Sequence, residues 1–229
     1  MKWHLFLFLL ALLNYSPAMS QIAIVDSKEG YSNLRREASP NAEIITVLAN
    51  NSAVIIDAMA MEHGEHNGWL KVFTGADPYC VRCTADLKEG YHLGYIHRSQ
   101  VKNLEELEEV KSGSVFMRYN IVPFDPSTKK ITYIDGSIST INGFSFYGAD
   151  CGTPSTEINQ AKAVINDQAI TIPMRYIWNI LHAQNNFRYF RQRDTVFVLQ
   201  RVGDGACTTD VIWTFANQQL QQRLLGYSY

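Results

Sequence analysis

The sequence predicts a mainly β protein: a small barrel or sandwich over residues 22–104, then a mostly antiparallel α+β unit over residues 113–229. Three observations carry this. Short β-branched and aromatic runs recur between turn-forming Asn, Asp and Gly residues, the pattern of many brief strands. The apolar periodicity of a helix shows in one place only, after Pro173. The composition, 46% hydrophobic with 18% charged, is that of a folded chain able to bury a core.

The elements follow in order. Residues 1–20 open with the charge of Lys2 and continue as an apolar run from Leu5 to Leu13, ending in small residues before Gln21. This is the order of parts in a secretory signal peptide, and the run falls short of the roughly 20 residues a spanning helix requires. A periplasmic or secreted protein with no membrane span is expected, without a lipid anchor since no Cys lies near the cut. Residues 44–48 and 53–58 are strands split by Asn50-Asn51-Ser52; residues 69–73 follow an Asn67-Gly68 turn; residues 94–97 make another strand. Residues 105–112, rich in Glu, read as a linker or short helix. Strands are expected at 115–122 and 130–134, and Asp135-Gly136 marks a hairpin into 137–141. Residues 144–147 begin a further strand. Pro173 suits the first turn of a helix to about Gln184, with Ile177, Ile180 and Leu181 on one face. Residues 195–200, 208–215 and 219–225 complete a meander.

Charge and cysteines narrow the function. With 20 Lys and Arg against 22 Asp and Glu, nothing drives the chain toward nucleic acid. Loss of residues 1–20 removes one Lys and no acid, leaving a net charge of −3. Cys80, Cys83, Cys151 and Cys207 form an even set, read as two disulfides in an oxidising compartment. Four cysteines permit three pairings; Cys80–Cys83 and Cys151–Cys207 keep each bridge within one unit. The second would close a loop of about 55 residues, worth about 4 kcal/mol by chain entropy. Cys80-Val-Arg-Cys83 could also be a redox pair or, with His92 or His97, half of a zinc site. It follows Asp77-Pro78 in a loop rather than opening a helix, and no second CxxC is present, so a structural staple is expected. His63, Glu65 and His66 read as a polar hairpin tip rather than a metal site. No cofactor is implied.

Three blocks carry a family likeness. Residues 30–40, Gly30-Tyr31-Ser32-Asn33-Leu34-Arg35-Arg36-Glu37-Ala38-Ser39-Pro40, precede the strand at 44–48. Gly68-Trp69-Leu70-Lys71-Val72 follows, then Gly94-Tyr95-Ile96-His97-Arg98-Ser99. In this order they resemble the bacterial SH3-like family over residues 22–104. The resemblance implies a small SH3-like β-barrel that binds cell-wall peptides or pairs with another domain. By analogy Tyr31, Asn33, Trp69 and Tyr95 would line a shallow groove, where aromatic faces bury area at little entropic loss. The alternative for Trp69 is a core position. Residues 74–93, with the CxxC, depart from the family by replacing a short hairpin. Residues 147–154 and 203–206, with the strand at 211–213, resemble only segments of exported bacterial proteins of unassigned role.

Catalysis has two candidate sets. Asp150-Cys151 is similar to the dipeptide that opens the nucleophile helix of papain-like cell-wall peptidases, which often follow SH3-like domains. Here Gly152-Thr153-Pro154 comes next, and His182 is the only histidine in the second half. Asp150, Glu157 and Asp204 could form a carboxylate pair for glycoside cleavage, although acids in Gly-rich turns commonly bind their own backbone. Neither set is complete. The expected function is therefore a non-catalytic envelope protein that binds a protein partner or a peptidoglycan fragment. An inhibitor or immunity protein neutralising a secreted toxin, and a hydrolase using Cys151 or the acids, are the alternatives.

Overall fold

The computed structural model describes residues 22–57, 67–84, 87–111, 113–149, 153–203 and 208–227. The expected signal peptide, the His63–His66 tip, and Asp150, Cys151, Asp204 and Cys207 lie outside the described residues. The chain is mainly β, as expected, and every strand pairing is antiparallel.

Turn residues set the boundaries of the first sheet. Strands β1 (Ile22–Val25), β2 (Tyr31–Arg35), β3 (Ile44–Ala49), β4 (Ala53–Ile56), β5 (Trp69–Gly75), β6 (Tyr91–His97) and β7 (Val101–Asn103) pair in the order β3-β2-β6-β5-β4-β1-β7. Asn67 and Gly68 both take positive φ, 51° and 83°, the twist that a tight turn into a strand requires. All four residues of β1 are buried because it has core on both sides. Ala23 and Val25 join Leu34, Val54, Leu70, Val72 and Ile96 in a small cluster. Ile22 and Ile24 face the other way, into a large core shared with the second half of the chain.

The second half holds three sheets. Strands β9 (Val115–Pro123), β12 (Thr156–Ile165) and β13 (Gln168–Ile172) form one, and β10 (Ile131–Ile134) with β11 (Ser137–Ile141) a hairpin. Strands β14 (Arg188–Gln192), β15 (Thr195–Val202), β16 (Thr209–Ala216) and β17 (Gln219–Tyr227) form a meander ended by β8 (Glu108–Glu109) on β14. Asp135 and Gly136 turn the β10–β11 hairpin with φ of 49° and 79°. In the segment expected as a linker or short helix, residues 105–112, the chain completes one 3-10 turn, Leu104–Glu106, and then forms β8. Arg188 ties this acidic stretch down, at 2.7 Å from Glu105 and 3.1 Å from Glu109.

Two expectations need correction. No α-helix forms over 173–184: Pro173 starts a single 3-10 turn, Met174–Tyr176. Tertiary pairing takes the backbone that a helix would use. Tyr147 N–H donates to Asn179 O and Leu181 N–H to Tyr147 O, both at 2.8 Å, and His182 turns to φ 49°. Ile177, Ile180 and Leu181 are buried nonetheless, so their spacing reported burial and not helicity. Residues 144–147 make only isolated bridges, at Phe144 and Tyr147. The next strand, β12, begins at Thr156 and returns through Asn166-Asp167, whose φ values are 50° and 65°.

The insertion between β5 and β6 clasps the two halves. Cys80 and Cys83 are disulfide-bonded and buried in the shared core. Tyr79 stacks on Tyr176 with ring centroids 4.4 Å apart. Tyr147 Oη donates to Cys83 O at 2.9 Å, and Tyr91 Oη to Leu225 O at 2.6 Å. Arg223, only 1% exposed, reaches Tyr79 O, Cys80 O and Tyr176 O at 2.7, 2.8 and 2.5 Å.

Candidate functional site

Strand alternation builds a cleft on the solvent side of the first sheet. Along β2, Ser32 and Leu34 are buried while Tyr31, Asn33 and Arg35 face outward. Trp69 on β5 lies directly opposite His97 on β6, and their rings meet edge-on with centroids 5.5 Å apart. The Gly68 turn lets these strands close. A Cβ there would stand 3.0 Å from His97 Nε2, and its φ of +83° disfavours any side chain.

His97 is held by the turn that follows it. It caps the 3-10 turn Arg98–Gln100, its Nδ1 accepting from Ser99 N–H and lying 2.8 Å from Ser99 Oγ. A serine hydroxyl at that distance has the reach of a nucleophile beside its base. Here the imidazole serves as a cap, and no described carboxylate is hydrogen-bonded to orient it. Ser32 Oγ donates to Gln100 Oε1 at 2.8 Å, and Arg35 Nη1 donates to Ala42 O at 2.7 Å. Together Asn33, Arg35, Pro40, Trp69, His97, Ser99 and Gln100 enclose about 420 Å³.

Of the four residues expected to bind ligand, the structure brings Asn33 and Trp69 into this one cleft. Trp69 is half-buried, between the core and groove readings. Tyr31 is 46% exposed near the start of β2, and Tyr95 pairs with Arg35 and Lys71; neither lines the cleft. Sequence reading missed Arg35, Pro40, His97, Ser99 and Gln100. A usable signal existed: period-two alternation puts Arg35 on the face of Asn33, and a hairpin register sets His97 across from Trp69. One fixed cation, an indole edge and an imidazole suit a carboxylate-bearing ligand with an apolar or sugar face.

The catalytic candidates are only partly described. Glu157 is ion-paired with Lys129 at 2.5 Å, both largely buried. His182 Nε2 accepts from Ser155 N–H at 2.6 Å. The cysteines of the CxxC are bonded to one another, so the zinc reading for them does not hold. Among the described residues, no three His, Cys, Asp or Glu gather as a metal site. Comparisons with protein-family models, with curated proteins and with solved structures find no match for this chain.

Proposed function

We propose that this is an exported, non-catalytic envelope protein whose SH3-like first half binds an acidic cell-wall fragment in the Trp69–His97 cleft. The observation that carries the reading is the convergence of Trp69, His97 and Arg35 on one cleft. A guanidinium held by Ala42 O offers a charge-assisted contact to a peptide carboxylate, and the indole offers apolar area. Export rests on residues 1–20 and fits the disulfide. The experiment is retention on purified peptidoglycan, with Arg35→Gln and Trp69→Ala as variants. Retention should fall at least tenfold in each, with folding unchanged by circular dichroism. No retention of the wild type would reject the reading.

One observation favours a protein partner as the second reading. Strand β3 ends its sheet with Ile44 and Val47 exposed at 46% and 56%, an edge open to strand addition. A periplasmic protein captured by the wild type and lost with Val47→Lys would support that reading instead.

A further inference from the structure

A second cleft lies where the two halves meet, and its chemistry differs from that of the first. Strand β3, the turn after it and the start of the β5–β6 insertion supply one wall, and β15, β16 and β17 the other. It encloses about 430 Å³, within the range of about 300–1,000 Å³ typical of small-molecule sites. Ten of its seventeen lining residues carry a hydroxyl or a side-chain amide, and none is Asp, Glu, Lys or Arg. In a chain that is 18% charged, this selects against ions.

Two polar atoms at this cleft are buried without a hydrogen-bond partner: Thr214 Oγ1 and Asn51 Oδ1. Thr214 is 3% exposed, and a buried hydroxyl left unmatched is a costly arrangement. Neighbouring amides are already engaged: Gln222 bonds both backbone groups of Ala53, and Asn50 bonds the N–H and C=O of Ser27. Two polar groups of this wall are thus buried and unpaired. Leu48, Pro78 and Ala216 add small apolar faces.

We propose that this cleft is a binding site for an uncharged saccharide of one or two rings. Sugar hydroxyls both donate and accept, so they match the Thr214 hydroxyl and the Asn51 amide oxygen. Its C–H faces fit the apolar patches. A carboxylate, phosphate or amine would be desolvated against a wall with no opposite charge. His92 is the single titratable group among the lining residues. The site is separate from the Trp69 cleft and does not depend on the function proposed for it.

The test is amide NMR on the full mature chain, titrated with N,N′-diacetylchitobiose, cellobiose and maltose, with glucuronic acid and a neutral dipeptide amide as controls. At least one neutral sugar should shift the amides of Asn51, Thr214 and Asn217, leaving Trp69 and His97 unmoved. Thr214→Val should weaken it at least tenfold without lowering the melting temperature, because it removes an unpaired buried hydroxyl. Asn51→Gly, which keeps the positive φ of that turn, should also weaken it. The proposal is overturned if no neutral sugar shifts these amides, if a control binds there as well as the sugars do, or if Thr214→Val binds unchanged.

Discussion

Arg223 shows how much one side chain holds. Burial pushes its guanidinium down to about 10, below the ordinary arginine range, yet it faces three backbone carbonyls and Asn179 Oδ1 instead of a carboxylate. Its donors close the loop ahead of Cys83 and the turn after Pro173. Arg223→Met would leave those carbonyls buried and unmatched, and urea unfolding should show a loss of about 3–5 kcal/mol. Arg223→Lys should restore little, since an ammonium cannot reproduce the planar fork. Nothing in the sequence flags this arginine; its partners lie about 45 and 145 positions away. Asp210 carries the pH dependence at this scale. Burial raises its carboxyl above the ordinary 3.8, and the hydrogen bond from cross-strand Arg201 only partly offsets this. A folded pKa above the unfolded one means the native state holds the proton longer. Its contribution is therefore full below about 3.8 and lost as pH rises through the higher folded value. The stability of wild type relative to Asp210→Asn should fall as pH rises across that interval, then level off. A rise there would contradict the burial argument.

Elements are joined by side chains that imitate a neighbouring strand. Gln222 accepts from Ala53 N–H at 2.7 Å and donates to Ala53 O at 3.0 Å, on the side of β4 that β5 leaves open. Asn185 does the same for Tyr119 on β9, an edge strand, at 2.7 and 3.0 Å. Such clips blunt exposed strand edges. Gln222→Ala should destabilise by about 1–3 kcal/mol by uncovering two buried backbone groups. At Gly226, an added Cβ would stand 2.1 Å from Ile55 Cδ1, so β17 meets β4 only because this residue is bare. Gly226→Ala should lower the melting temperature by several degrees, and Ile55→Val, by making room, should recover part of it. The Cys80–Cys83 bridge closes a short loop, with a separation of three residues. Chain entropy gives about 2 kcal/mol for it, and Cys80→Ala with Cys83→Ala should lose at least that much. Turns were legible because Asn67-Gly68 and Asp135-Gly136 encode their own φ values. The absent helix at 173–184 was not, because its apolar spacing is also that of a buried irregular segment. The cleft was half legible: alternation, turns and the His97–Ser99 cap are local, whereas the Ser32–Gln100 bond joins residues 68 apart and arises only once the strands are in register.

At the scale of the whole molecule, the two halves are one packed body. A single cluster runs from Ile22, Ile24 and Ile55 through Cys80 and Cys83 to Met117, Trp213 and Leu225. The run Ile22-Ala23-Ile24-Val25 hinted at this, since a strand apolar on both sides needs cover on both sides. What covers it is the second half, which no local pattern names. The CxxC insertion, at first sight only a departure from a family pattern, is the segment that reaches across. Both clefts depend on the body: the first on the register of β5 and β6, the second on the halves staying docked. The most direct measurement is urea unfolding of residues 21–229 labelled with 5-fluorotryptophan and followed by fluorine NMR. Trp69 reports the first half, and Trp178 and Trp213 report the second. All three native signals should vanish at one midpoint with one slope. A separate, earlier or later loss of the Trp69 signal would contradict a common core.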